Sequence, residues 1–431
     1  MEQPLIEIHI KKFGPIENQT IRIAPMMIFT GNSNMGKSYV NYLVYFAISS
    51  LTENVFRDFL DSKFKGDTKK AVITVDAIQK WMNSRVKNFM IAFLHADDDL
   101  QCDVNYKLSI PGINEFHIEY EELDIPEITD TPQVVSTLLR VVINGQEETI
   151  STPRHSAIAK EMFFTHVGNQ LITKLFGQHI YKTLLLPPGR CPFMGENYSM
   201  KNDIGSSVGM YRYFLKDLDF SMLQIWGKRT TKYSKAIANI IGGKLTVQKD
   251  NTQYLVMNNG DKIRLSSAAS SVKELAPFLY SLQNIPIDML RSYCLEEPEA
   301  HLHPTMQIAV TDLIANCLND KMMFNITTHS DYILQRINQL IKLDFIRQHN
   351  RKLFKEICKQ NGLTENHCIN KDNVLVYHFD TDEQKHVQIV EQEITEDGFQ
   401  MQTFFSAVNE MNTVEDALNC AIDQVKEEIG K

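Results

Sequence analysis

Met26-Met27-Ile28-Phe29-Thr30-Gly31-Asn32-Ser33-Asn34-Met35-Gly36-Lys37-Ser38 is the stretch that decides the fold class. Met26 to Phe29 is a short, continuous apolar run, the pattern of a strand covered on both faces. Gly31 to Ser38 then fits G-x-x-x-x-G-K-[ST], and helical periodicity follows from Val40. Strand, glycine loop and helix in that order make a phosphate cradle. The glycines let backbone N–H groups wrap the phosphate oxygens, Lys37 reaches the β- and γ-phosphates, and Ser38 offers its hydroxyl to Mg²⁺. Gly31, Asn32, Asn34, Gly36, Lys37, Ser38 and Tyr39 are therefore the expected nucleotide contacts. A chance glycine turn is the competing reading, and the flanking strand and helix argue against it.

Two later stretches end short apolar strands in the same manner. Tyr293-Cys294-Leu295 runs into Glu296-Glu297-Pro298-Glu299, and Met322 to Ile326 runs into Thr327-Thr328-His329-Ser330. Parallel strands of one sheet bring their C-terminal ends to one edge, where ligands bind in open α/β folds. At that edge Glu296 is expected to meet Mg²⁺ through water, Glu297 to polarise the attacking water, and His329 to hydrogen-bond the γ-phosphate. A charged turn and a structural histidine are the plain alternatives. His301 and His303 form an H-x-H pair that also invites zinc, a reading disfavoured by the motif in which they stand.

Outward from these motifs, Leu5 to Ile10 and Thr20 to Ile23 alternate as strands, with Phe13-Gly14-Pro15 as a turn. Leu184 to Leu186 reads as a buried strand ending in Pro187-Pro188-Gly189-Arg190, where Arg190 is open between a phosphate or interface contact and a surface ion pair. Three strands at Lys244–Gln248, Gln253–Met257 and Lys262–Leu265 surround an Asn258-Asn259-Gly260-Asp261 hairpin turn. Strands alternating with helices predict an α/β fold with a mainly parallel sheet. The expected organisation is a split core, 1–45 and 184–400, interrupted by a mainly helical insertion over 46–183 and followed by a helical tail over 401–431. Within the insertion, Val40–Leu60, Ile78–Leu94 and Ile158–Phe176 read as helices, and Phe116–Tyr120 and Leu138–Ile143 as strands.

In motif order the chain resembles the ABC-type ATPases of the SMC and OLD group. The P-loop comes first, then a serine-rich segment before Glu274-Leu275-Ala276-Pro277, then Glu296 to Pro304, then Thr327 to Ser330. Within that group it is most similar to ATPase subunits of anti-phage systems such as PARIS or Septu. The resemblance covers about Glu2 to Tyr39 and Leu184 to Phe399. It implies an ABC-type head binding ATP and Mg²⁺, and a homo-oligomer built on an ATP-sandwich dimer. Ser270 or Ser271 of one subunit would touch the γ-phosphate held by the other. It further implies a sensor or scaffold of a defence complex, with a separate effector such as a Toprim-type nuclease and a phage protein or DNA open as further partners. Two residues depart from the pattern: Val272 stands where glycine usually follows the signature serine, and Glu296 where aspartate is commoner. No glutamine is assigned to the Q-loop.

Composition sets the limits. With 431 residues, 43% hydrophobic and 23% charged, the chain is ordinary globular protein. The apolar runs fall far short of the roughly 20 residues that span a bilayer, so a soluble, cytoplasmic protein without membrane partners is expected. Seven scattered cysteines without a C-x-x-C pair read as reduced, mostly buried thiols. A net charge of −9 gives no general pull towards a polyanion, leaving only short basic stretches at Lys63–Lys70 and Arg347–Lys359. Asp380-Thr381-Asp382 imitates one mark of a Toprim nuclease, but its position near the end of the chain favours a strand followed by a turn. The alternative function is an SMC-like DNA-binding or repair ATPase, which the lack of a long heptad run between Tyr39 and Gln178 disfavours. A transporter ATPase is a third reading, disfavoured by the form of the Glu296–Pro304 motif.

Overall fold

A computed structural model describes residues 5–52, 54–64, 69–123, 136–153, 156–194, 209–222, 232–248, 252–284 and 291–429. Part of the basic stretch Lys63–Lys70 lies outside them. The core is a nine-stranded mixed sheet. Its order is Cys102–Ser109, Leu5–Phe13, Ile16–Arg22, Val387–Glu391, Val374–Thr381, Met26–Gly31, Met323–Thr327, Arg291–Glu296 and Lys182–Leu186. The last five run parallel to one another. Antiparallel pairs join Leu5–Phe13 to its two neighbours and Val374–Thr381 to Val387–Glu391.

Met26–Gly31 lies in the middle of the parallel half, and every one of its residues is buried. That is why its sequence is apolar without alternation: both faces are covered, helix Lys37–Thr52 packing on one of them, so no side chain has water to face. Helix Lys37–Thr52 leaves the P-loop and packs beneath Met26–Gly31, Met323–Thr327, Arg291–Glu296 and Lys182–Leu186. Its burial runs nearly all the way round, from Val40 to Leu51, which fixes the loop above it against the sheet. Beyond the strands come helices Ser270–Asn284, Pro304–Asn319 and Asp331–His349. The three short strands Gly243–Val247, Gln253–Met257 and Lys262–Arg264 form an antiparallel meander of their own.

The segment 46–183 departs from its sequence expectation in two ways. Beside helices Asn54–Asp61, Val75–Leu94 and Ser156–Phe176 it carries a four-stranded antiparallel sheet: Lys70–Thr74, Glu115–Leu123, Ser136–Ile143 and Gln146–Pro153. The segment is therefore mixed rather than mainly helical. Its strand Cys102–Ser109 also pairs with Leu5–Phe13 along eight positions and becomes one edge of the core sheet. In that strand Val104, Tyr106 and Leu108 turn inward while the residues between them face out, an alternation of the half-buried kind. The periodic stretch Val40–Leu60 is two helices, Lys37–Thr52 and Asn54–Asp61. Residues Gln402–Ile429 form one helix, exposed from Asn409 to Lys426.

Candidate nucleotide site

The P-loop takes its shape from how closely the next strand approaches. Gly31 has φ +121°, and a Cβ on it would sit 2.1 Å from the carbonyl oxygen of Phe379 on the parallel neighbour Val374–Thr381. Only glycine fits there. Gly31→Ala is expected to cost about 1–3 kcal/mol in backbone strain and about as much again, roughly 1–3 kcal/mol, in overpacking. The measurement is thermal unfolding; an unchanged Tm would overturn the argument.

Helix Lys37–Thr52 begins at the P-loop lysine. Lys37 is 7% exposed, and its Nζ donates to the carbonyl oxygens of Gly31 at 3.0 Å and Asn32 at 2.6 Å. Burial pushes its amine down to about 8, against the pull of Glu297, Glu296 and Glu299. The cation is thus held inside the loop it must serve, a few ångströms of side-chain travel from any phosphate the loop takes up. Tyr39, which lines the cleft, packs its ring on Phe13 at 5.1 Å.

The two acids arrive as the strand endings predict. Ser38 Oγ donates to Glu296 Oε2 at 2.6 Å, joining residues 258 apart in sequence. Glu296 is 1% exposed, and burial drives its carboxyl up to about 7, with the hydrogen bond from Ser38 and the neighbouring Tyr42 and Asn41 side chains pulling it back part of the way. Its Oε1 is buried and has no hydrogen-bond partner among the described residues. A carboxylate with a spare oxygen beside a serine hydroxyl suits a hard divalent cation, which would also keep the acid ionised.

Glu297 has φ +45°, a left-handed conformation uncommon for a non-glycine residue, and its N–H donates to Thr327 O at 3.0 Å. That turn faces its side chain into a cleft of about 410 Å³ shared with the P-loop, Pro15, Thr327 and His329. His329 is exposed at the cleft, and burial of part of the ring together with the charge of Lys37 lowers its pKa. Its neutral form is favoured, leaving one ring nitrogen to donate and one to accept.

Glu299 was not assigned a role from the sequence. Its Oε1 accepts the backbone N–H of His329 at 2.6 Å, tying the turn after one strand to the turn after the next. Burial raises its pKa. Asn41 and Tyr42, which support Glu296 from the helix, were likewise missed, since nothing in a helical Val40–Leu60 pattern marks them. Arg190 is neither a phosphate contact nor a surface ion pair: it is 1% exposed and donates to the backbone carbonyl oxygens of Pro187, Glu274 and Glu296. His303 caps helix Pro304–Asn319, accepting from Thr305 N. Asp382 accepts the backbone N–H groups of Gln384 and His386 at 2.9 and 2.8 Å, holding the turn between Val374–Thr381 and Val387–Glu391.

Asn32 contributes its carbonyl to Lys37, and Asn34, with φ +63°, lines the cleft beside Gly36. Ser270 and Ser271 open helix Ser270–Asn284 and do not line the cleft that holds the P-loop, Glu297 and His329. Ser270 is exposed.

Residues 213–334 match the family model of the AAA ATPase domain, which takes in the signature segment, both acids and His329 but not the P-loop. No curated protein matches the chain. Among solved structures it is similar to an SMC head bound to the C-winged helix domain of ScpA, at 12% identity over 91% of this chain and 99% of that one, with a TM-score of 0.37. An SMC head with an extended coiled coil, bound to the C-terminal domain of ScpA from Pyrococcus furiosus, is 11% identical over 95% and 100%, with a TM-score of 0.36. The SMC head domain from Thermotoga maritima is 10% identical over 91% and 99%, with a TM-score of 0.33. Likeness this slight sets neither fold nor function. No helix among the described residues is long and apolar enough to cross a membrane.

Proposed function

We propose that this chain is an Mg²⁺-dependent ATP hydrolase that works as an ATP-sandwich dimer. The observation that carries the reading is the 2.6 Å contact between Ser38 and Glu296, with Glu297 and His329 facing the same cleft. Ser38 and Glu296 would hold the cation, which when bound neutralises phosphate charge and orients the terminal phosphoryl group. The chain's own residues do the rest. The P-loop N–H groups and Lys37 bind and orient the phosphates. Glu297 accepts a proton from the attacking water, and neutral His329 steadies the γ-phosphate by hydrogen bonding. Glu299 keeps His329 in place through its backbone.

Residues supplied from a second subunit complete the site in this reading. Ser270 and Ser271 are accessible at the start of a helix and stand apart from their own cleft, as a segment serving a neighbour's nucleotide requires. Replacing both with bulky or charged residues is expected to leave ATP binding per subunit intact and to cut hydrolysis. Mixing that protein with Lys37→Ala subunits restores part of the activity, since a mixed dimer has one site with both lesions and one with neither. Titrated mixtures under subunit exchange that never exceed either variant alone would sink the shared-site model.

The wider role rests on the motif order and its resemblance to defence ATPases. The dimer serves as sensor or scaffold of an anti-phage complex, with a nuclease or toxin in a separate chain.

A further inference from the structure

Arg190 closes the loop after strand Lys182–Leu186, where it bridges the N-terminal end of helix Ser270–Asn284 to the C-terminal end of strand Arg291–Glu296, whose far ends already pack through Phe278 and Ser281 against Tyr293. Its Nε donates to Glu274 O at 2.7 Å, in the second turn of helix Ser270–Asn284. Its Nη1 donates to Glu296 O at 2.8 Å and Pro187 O at 2.9 Å. The Glu274 carboxylate lies 3.5 Å away and accepts the N–H of Cys191 through Oε2 at 2.9 Å. Arginine and glutamate are each 1% exposed.

A buried ion pair is a weak device for stability, because desolvating two charges offsets most of their attraction. The planar fork of arginine is well suited to another task, holding two backbone segments in a fixed relation. One of those segments is the helix that begins at Ser270 and Ser271. The other is the carbonyl of Glu296, one peptide bond before Glu297 and its left-handed φ. Nη2 and Glu274 Oε1 are buried without a hydrogen-bond partner among the described residues, so the fork has bonding capacity left to take up if the helix shifts.

We infer that Arg190 is a positioning residue that links the two ATP sites of the dimer, transmitting the seating of Ser270-Ser271 on the partner's nucleotide to Glu296 and Glu297 of its own subunit. The inference rests on the ATP-sandwich reading. Occupancy of one site then sets the acids of the other, and turnover at a lone occupied site is reduced but not abolished. Hydrolysis by the unaltered protein should rise cooperatively with ATP concentration.

The test compares the unaltered protein with Arg190→Lys and with Arg190→Met/Glu274→Gln, measuring ATP binding per subunit, steady-state turnover against ATP concentration, dimer mass and Tm. The double variant removes both charges together and keeps the packing, which avoids an orphaned buried carboxylate. Arg190→Lys keeps the charge but has one head where the fork had two. Expected are unchanged ATP affinity and dimer mass, turnover lowered roughly 10- to 100-fold, as misplaced catalytic groups produce, and loss of cooperativity. Unaltered protein that hydrolyses ATP without cooperativity, or variants that keep both rate and cooperativity, would overturn the inference and leave the ATPase reading standing. Variants that lose binding, turnover and Tm together, or that do not fold, assign Arg190 to the fold alone and also overturn it. Unaltered protein that binds no ATP or turns none over refutes the parent reading instead.

Discussion

Glu297→Gln is expected to bind ATP as the unaltered protein does and to hydrolyse it roughly 10²- to 10⁴-fold more slowly, the usual worth of a positioned general base. The amide has nearly the carboxylate's size but cannot accept the proton of the attacking water. The main chain at Glu297 is set by its bond to Thr327 O and by the strand Arg291–Glu296 behind it, so the exchange leaves the turn in place. With chemistry blocked and binding intact, the ATP-bound dimer should accumulate, visible as a doubled mass in ATP and not in ADP. Near-normal turnover would move the proton-accepting role to Glu296 or Glu299.

Lys37→Ala has its effect one step earlier. Removing the ammonium takes away the charge that faces the β- and γ-phosphates, and truncating one member of a buried charged pair costs about 2–5 kcal/mol. Tight ATP binding is expected to disappear. The fold should survive, because the amine's own partners are the loop carbonyl oxygens of Gly31 and Asn32 and not side chains of the core. Isothermal titration with ATP, alongside circular dichroism, separates the two outcomes. Unaltered ATP affinity in a folded variant would refute the phosphate-cradle assignment.

Much of the site was legible because each part is a local pattern: an apolar run, a sharp turn, a polar residue delivered to the strand's end. Met26 to Ser38, Leu295 to Glu297 and Ile326 to His329 each announce themselves within about a dozen residues, and the parallel sheet needs only to set them side by side. What escaped the sequence is what depends on partners far along the chain. The alternation of Val104, Tyr106 and Leu108 is plain once seen, yet nothing in it says that its neighbour is Leu5–Phe13 rather than another strand of the same segment. Arg190 after two prolines and a glycine reads as surface. Its burial follows from a helix 84 residues later and a strand end 106 residues later, and no local pattern encodes either. Glu299 is hidden differently, in plain view behind the two acids that precede it.

The order of the core sheet bears on how the chain comes into being. Met26–Gly31 is among its earliest strands, and its two flanking strands are Met323–Thr327 and Val374–Thr381. A ribosome adding roughly 5–20 residues per second needs on the order of 20–80 s to supply the second of them. For most of that interval, until Met323–Thr327 emerges, an apolar segment with both edges unpaired waits in the nascent chain, the condition that invites aggregation and that chaperones exist to shelter. Pairings so distant in sequence also slow the search for the native state. The phosphate loop, first of the functional parts to be translated, is therefore among the last to take its shape.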